Sequence, residues 1–299
     1  MIKYLLFLTS FLALSCTKGS EEANATKDGA SVTAGLKDRS RNLNISVLLD
    51  LSDRIDPAKY PNPSMPYHLR DVGYINSVAE AFSDHIKSKK IKQMNDRMQL
   101  FFDPAPLNPD INTISKQLRV SLDKDNVSKE LIADVEVKYK KLPSELYQLA
   151  IKDKHYIGSD TWKFFKNKID DCTEEGYRNV LVILTDGYIF YQNSLMTEAN
   201  QTSFLTPEAI RKNGLTTSDW SAKMTQGHHG FIKASEDLSN LEILVLGINP
   251  DIKNPYEEDV IKAYWTKWFE AMKVRRYEIR SAELPSDMDK VIKDFINGK

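Results

Sequence analysis

Apolar and polar residues follow two different periods along this chain, and the changes of period predict where strands and helices lie. Mostly apolar runs of strand length are typical of parallel strands that are buried on both faces: 45–50, 97–102, 180–184 and 241–248. Apolar residues recur at helical spacing in the intervening segments: about 72–89, 161–172, 255–273 and 288–296. This alternation predicts an α/β fold in one domain, a doubly wound, mostly parallel sheet with helices on both faces.

The stretch from Ile111 to Tyr139 is harder to interpret. Val135, Val137 and Tyr139 alternate with polar residues, which predicts an edge strand that is wet on one face. A separate helix is expected over about 143–152, and a last strand over 277–279.

The first fifteen residues have the pattern of an export signal, with Lys3 followed by an apolar run over 4–14. The run ends at Ala13-Leu14-Ser15-Cys16, which resembles the lipobox of bacterial lipoproteins. That resemblance implies cleavage before Cys16 and lipidation of its thiol, and so a lipoprotein anchored in the bacterial cell envelope, facing the periplasm or the cell surface. A plain secretory signal is the alternative.

Residues 16–43 contain few large apolar side chains, so we predict a flexible tether that leads to a domain at 44–299. The segment 18–22 faintly resembles the acidic export signals of Bacteroidetes surface lipoproteins, and a simple acidic patch in a solvated linker is the alternative reading.

Composition excludes two classes of protein. The 299 residues include 41 Lys and Arg against 42 Asp and Glu, so no strong positive field is available to attract nucleic acid. No stretch beyond the N-terminus approaches the roughly 20 apolar residues of a membrane span. A lipidated Cys16 leaves Cys172 as the other cysteine, so no intramolecular disulfide is expected, and Cys172 is predicted to be a small buried residue.

Oxygen-bearing side chains follow the ends of two predicted neighbouring strands. Asp50-Leu51-Ser52 ends the first strand, Thr185-Asp186-Gly187 ends another, and Gly158-Ser159-Asp160-Thr161 is a polar loop that enters a helix. Ligands of such sheets bind beyond the carboxyl ends of the strands. Carboxylates and hydroxyls suit Mg²⁺, Mn²⁺ or Ca²⁺, whereas zinc is disfavoured because no thiolate or imidazole cluster is present.

These three motifs, in this order and on these elements, resemble the von Willebrand factor A domain, over roughly residues 43–297. The resemblance implies that Asp50, Ser52, Thr161 and Asp186 form a metal-ion-dependent adhesion site, with Mg²⁺ as the first choice and Mn²⁺ or Ca²⁺ as the others. In that family the metal commonly accepts a further ligand, often a carboxylate, from a protein partner.

One position departs from the family's pattern. The second serine of the first motif is replaced by Arg54, and an arginine cannot ligate a cation. Arg54 is expected either to point away or to pair with Asp50 or Asp186 in place of the metal. Asp53 is a candidate for a compensating ligand, and Ser159 and Asp160 are auxiliary candidates.

Two long connections, 54–71 and 188–240, leave strands at their carboxyl ends and should lie over the same edge of the sheet. The aromatic residues of the second suit partner recognition or a small core of its own. The leading hypothesis is therefore a lipid-anchored, non-enzymatic module that binds a protein partner. The alternatives are a metal-dependent hydrolase with Asp53, Asp160 or His228 as base, and a metal-free envelope scaffold.

Overall fold

The computed structural model describes residues 41–299, so the predicted signal peptide, Cys16 and nearly all of the predicted tether lie outside the described residues. The strands of this part of the chain are β1 (Leu43–Leu49), β2 (Asn95–Phe101), β3 (Val120–Asp123), β4 (Arg178–Leu184), β5 (Thr197–Glu198), β6 (Gln201–Thr202), β7 (Gly230–Phe231), β8 (Leu241–Ile248) and β9 (Arg276–Ser281). Its α-helices are α1 (Tyr67–Ser88), α2 (Pro109–Gln117), α3 (Lys129–Asp153), α4 (Thr161–Asn167), α5 (Pro207–Lys212), α6 (Trp220–Gln226), α7 (Glu257–Ala271) and α8 (Pro285–Ile296).

The predicted α/β fold is confirmed. Six strands form one sheet in the order β3-β2-β1-β4-β8-β9, in which the β2–β3 pair is antiparallel and the other pairs are parallel. A second, small sheet has the order β5-β6-β7. The parallel part of the large sheet explains the continuous apolar runs in the sequence, since helices cover both of its faces.

The side chains of strand β4 contribute to two separate cores, one on each face of the sheet. Val180, Val182 and Leu184 pack into the core that the sheet forms with α1, α2, α3 and α8. Leu181 and Ile183 point to the opposite face and pack with α4, α7 and the segment 188–240. Every side chain of β4 is therefore buried, which is why the strand has no polar face.

The order of the strands places a switch of direction between β1 and β4. From β1 the chain continues to β2 and β3 on one side, and from β4 it continues to β8 and β9 on the other. The connections leave the carboxyl ends of β1 and β4 in opposite directions, which opens a crevice between them. Asp50 follows β1 directly and Asp186 lies two residues beyond β4, so both predicted site carboxylates lie at this crevice.

The predicted edge strand at 135–139 is wrong. Residues 129–153 form the single helix α3, which continues through Pro143, so the separate helix predicted for 143–152 is only its second half. Val135 and Tyr139 are one helical turn apart and both are buried, whereas Val137 is 63% exposed. The alternation of these residues was a coincidence with helical spacing. The edge strand is β3, some fifteen residues earlier in the chain.

The two long connections contain regular structure. Helix α1 begins at Tyr67, directly after Pro66, so the irregular part of the first connection ends before residue 71. The second connection carries β5, β6, β7, α5 and α6. The helix predicted for 161–172 divides into α4 and a 3₁₀ turn that ends at Cys172, which is buried as expected. Between residues 41 and 299, no helix combines the length and the apolar character that a membrane span needs.

Candidate functional site

A cleft of about 540 Å³ opens at the carboxyl edge of the sheet, above the point where β1 and β4 diverge. Asp50 and Asp186 lie in it, together with Ser52, Asp53 and Arg54 of the loop that follows β1. Ser159 contributes from the loop before α4. The cleft thus brings together six of the eight residues that the sequence analysis singled out as ligands or auxiliary groups.

The carboxylate of Asp50 is held by its own strand end and by the neighbouring one. One of its oxygens accepts a hydrogen bond of 2.8 Å from the backbone N–H of Ser52. The other accepts a hydrogen bond of 3.2 Å from the hydroxyl of Thr185. Because Asp50 is almost completely buried, these two donors stabilise a charge that water reaches poorly.

Asp186 is less exposed than an ordinary surface carboxylate and has fewer partners than Asp50. Its Oδ1 accepts a hydrogen bond of 3.0 Å from the backbone N–H of Tyr188. Burial and, after it, the nearby charge of Asp50 raise the pKa of Asp186 to about 7, against the opposing effect of Arg54. The floor of the cleft therefore carries a carboxyl group that is readily protonated and that a neighbouring positive charge would stabilise as the anion.

Arg54 does not point into solvent but folds back beneath the cleft, where only 5% of its surface is exposed. Its Nη2 donates to a carboxylate oxygen of Asp71 at 2.6 Å and to the backbone carbonyl of Leu184 at 3.0 Å. Its Nε lies 3.5 Å from a carboxylate oxygen of Asp50. The structure therefore realises the pairing of Arg54 with Asp50 that the sequence analysis gave as one of two possibilities.

Two residues that the sequence analysis missed complete this arrangement. The carboxylate of Asp71, on α1, is buried and accepts a hydrogen bond of 2.9 Å from the hydroxyl of Tyr147, on α3. Burial lowers the pKa of Arg54, but the charges of Asp71 and Asp50 outweigh that effect and raise it, so the guanidinium stays protonated. A signal for Asp71 was available, since it lies in helical register with the apolar stripe of Ile75 and Val78.

The residues of the loop before α4 have separate positions. Thr161 is buried, does not line the cleft, and has its hydroxyl 3.3 Å from that of Ser159. Asp160 also lies off the cleft, where one of its oxygens accepts a hydrogen bond from the backbone N–H of Lys163 and caps α4. Of the three, Ser159 lines the cleft, and the hydroxyl of Thr161 reaches it through Ser159.

The remaining candidates lie at the edge of the cleft or away from it. Asp53 lines the cleft and forms an ion pair with Lys59 at the surface. His228, the third candidate base, does not line it. The mouth carries exposed apolar side chains: Tyr60, Phe190 and Ile252, which are 41%, 43% and 93% exposed. The aromatic residues of segment 188–240 thus have two different locations, since Phe190 borders the cleft while Phe231 is buried against α7.

The residues around Asp50 do not fit a divalent cation in the way that the resemblance implies. The positive charge beside Asp50 is already supplied by the guanidinium of Arg54, whose Nε lies 3.5 Å from one of its carboxylate oxygens. A divalent cation beside Asp50 would therefore be repelled by the guanidinium at close range. Within residues 41–299, no group of three or more His, Cys, Asp or Glu side chains could hold a metal ion, although the site that the resemblance implies needs only two carboxylates beside its hydroxyls.

Comparisons with known proteins add little to this geometry. No protein-family model matches the chain, and no curated protein matches it. Among solved structures, the chain is similar to the pilus adhesin SpaC from Lactobacillus rhamnosus GG, with a TM-score of 0.37 and 8% sequence identity. The match covers 86% of this chain and 30% of the adhesin, so the chain spans less than a third of that protein. A likeness this weak carries no argument about function.

Proposed function

We propose that this chain is a non-enzymatic module, anchored by lipid in the cell envelope, that binds a segment of a partner protein in the cleft above β1 and β4. The observation that carries the proposal is the combination of an acidic floor with an exposed apolar mouth at the switch point of the sheet. Ligand sites of doubly wound sheets are found at this location. The resemblance to von Willebrand factor A domains, which bind proteins at the same edge, supports the same function.

The charges of the cleft indicate the chemistry of the partner. Four carboxylates line it, those of Asp50, Asp53, Asp186 and Asp251, against the single guanidinium of Arg54. Three of the four have a cationic partner within 4 Å, whereas Asp186 forms no ion pair in the part of the chain that the structure describes. A lysine or arginine of the partner would supply the missing positive charge.

The mouth of the cleft suits apolar side chains on either side of that basic residue. Ile252 is 93% exposed, so a partner that covers it would gain the free energy of burying its apolar surface. Tyr60 and Phe190 provide aromatic surface, which is enriched in protein interfaces. The partner segment we propose therefore carries one basic side chain that reaches Asp186 and apolar neighbours that cover the mouth.

Site-specific photo-crosslinking in the source cells tests this function. A photoreactive residue at Ile252 should give a discrete crosslinked product, and the same residue at the exposed Val137 of α3, away from the cleft, should not. Asp186→Asn should weaken the Ile252 product at least several-fold. Asp125→Asn, which removes a charge from an exposed turn, should leave the product unchanged. Identical products from both positions, or a product that is indifferent to Asp186→Asn, would contradict the proposal.

The membrane anchor has its own test. Cys16→Ser should move the chain from the membrane fraction to the soluble fraction of the cells, because no thiol remains to which the lipid can be attached. Asp186→Asn should stay with the membranes. If the Cys16→Ser chain also remains in the membrane fraction and resists extraction by salt, the lipid anchor is wrong.

A further inference from the structure

We infer that the guanidinium of Arg54 permanently fills a cation position beside Asp50, at the carboxyl ends of β1 and β4, so that this cleft works without a divalent metal ion. The inference concerns the same cleft as the proposed function. Its test needs no partner protein, so either proposal can fail while the other stands.

Arg54 is bound to the cleft floor through three separate contacts. It reaches the carboxylate of Asp71 at 2.6 Å, the carbonyl oxygen of Leu184 at 3.0 Å and the carboxylate of Asp50 at 3.5 Å. Leu184 is the last residue of β4, and Asp50 follows β1, so one side chain connects the carboxyl ends of the two strands that flank the crevice. A metal ion at this point would likewise connect the ends of the two strands.

Asp71 is the reason that Arg54 cannot give up its position to a metal ion. It comes from α1 rather than from a strand end, and it lies on the far side of the guanidinium from the open cleft, where it is almost completely buried. If Arg54 moved away to admit a metal ion, the charge of Asp71 would remain in the protein interior without its cation. Leaving one member of a buried ion pair alone is strongly unfavourable. The hydroxyl of Tyr147 donates to the same carboxylate oxygen of Asp71 and helps to hold it in place.

The direct consequence is that removing Arg54 should create a metal site where there is none now. Serine at position 54 restores a small oxygen ligand, and without the guanidinium the carboxylates of Asp50 and Asp71 lack a counter-charge. Arg54→Ser should therefore lower the midpoint of thermal unfolding in EDTA and should recover stability when Mg²⁺ or Mn²⁺ is added. At about ten times the dissociation constant, the rise is expected to be about 3–6 °C for a domain of this size.

The experiment compares thermal unfolding of the full-length chain, followed by tryptophan fluorescence, in EDTA and in Mg²⁺ or Mn²⁺. The wild type should change by less than about 1 °C between these conditions, because its cation is part of the chain. Arg211→Ser is the matched control, since Arg211 also pairs with an aspartate of the cleft, Asp251, but is exposed. It should show no response to metal. If Arg54→Ser does not fold, Arg54→Ser combined with Asp71→Asn removes the stranded charge and is tested in its place.

Two results would overturn the inference. One is a metal-dependent rise of several degrees in the wild type that disappears in Asp186→Ala, because it would place a metal ion beside Arg54. The other is a folded Arg54→Ser variant, single or combined with Asp71→Asn, that responds to neither Mg²⁺ nor Mn²⁺. That result would mean that Arg54 does not occupy a cation position at all.

Discussion

Arg54 and Asp71 form an ion pair of 2.6 Å in which 6% and 2% of the two side chains are exposed. One residue belongs to the loop after β1 and the other to α1, so the pair fixes the floor of the cleft to the helix layer beneath it. Because water is excluded from both side chains, the two charges depend on each other in a way that surface pairs do not.

The first prediction is that Asp71→Ala destabilises the chain by about 3–5 kcal/mol, because it leaves the guanidinium of Arg54 buried without its main partner. Unfolding in urea, followed by circular dichroism, measures the loss. Asp134→Ala is the matched control, since Asp134 pairs with Lys138 on the exposed face of α3. It should cost no more than about 1 kcal/mol. Equal losses from the two substitutions would contradict the prediction that the buried ion pair matters more for stability than the exposed one.

Much of the fold could be predicted from sequence because burial on both faces leaves a clear pattern. The runs that became β1, β4 and β8 are mostly apolar, and each ends at or within two residues of a polar turn. The carboxyl ends of parallel strands lie at one edge of the sheet, so the sequence alone places Asp50 and Asp186 at the same edge. The helix at 129–153 was harder, because the alternation of Val135, Val137 and Tyr139 imitates a strand.

The sequence left two orientations open for the side chain of Arg54, away from the site or paired with one of its carboxylates, and could not decide between them. Its partner Asp71 lies 17 residues further along the chain, and Tyr147 lies another 76 beyond Asp71. No local pattern links positions so far apart, since only the packing of α1 and α3 brings them together.

The second prediction concerns the hydroxyl of Tyr147. Tyr147→Phe removes a hydrogen bond of 2.9 Å to the buried carboxylate of Asp71 and should cost about 1.5–3 kcal/mol in urea unfolding. Tyr139→Phe is the control on the same helix, because its buried hydroxyl donates to the neutral carbonyl of Leu118. It should cost about 1 kcal/mol. A larger loss for Tyr139→Phe would contradict the view that Tyr147 supports a charge.

The third prediction is a pH dependence that arises at Asp186. Burial and the charge of Asp50 raise the pKa of Asp186 to about 7 in the folded chain, well above the value of about 3.9 for an unfolded one. Between these two values the folded chain keeps a proton that the unfolded chain releases, so the contribution of Asp186 to stability falls as pH rises. Asp186→Asn removes this loss, because an amide does not ionise.

Asp186→Asn should therefore unfold at a higher temperature than the wild type, and the gain should be larger at about pH 8 than at about pH 5. We expect a difference between the two gains of about 5–10 °C, because pKa values of about 7 and about 3.9 correspond to about 2–3 kcal/mol between these two pH values. Asp125→Asn, on an exposed turn, should differ from the wild type equally at both pH values. A gain that shrinks as pH rises would reverse the sign and refute the assignment.

The fourth prediction is that Gly187→Ala destabilises the chain and displaces Asp186 in the cleft. Gly187 has a φ of +98°, and a Cβ there would lie 2.6 Å from Cγ2 of Ile261 and 2.8 Å from Cδ1 of Ile248. Crowding of this kind adds to the cost of a positive φ, so the substitution should cost about 2–5 kcal/mol. The shift would displace Asp186, the preceding residue, and should weaken the crosslink at Ile252.

Gly176→Ala separates the two causes. Gly176 has a similar φ of +81°, but a Cβ there would meet nothing within 4 Å. It should therefore cost only the backbone term, about 1–2 kcal/mol, and leave the crosslink unchanged. Urea unfolding of both variants measures the difference, which we assign to the packing of Gly187 against β8 and α7. If the two substitutions cost the same, that packing does not hold the end of β4 in place, and the position of Asp186 must depend on the backbone alone.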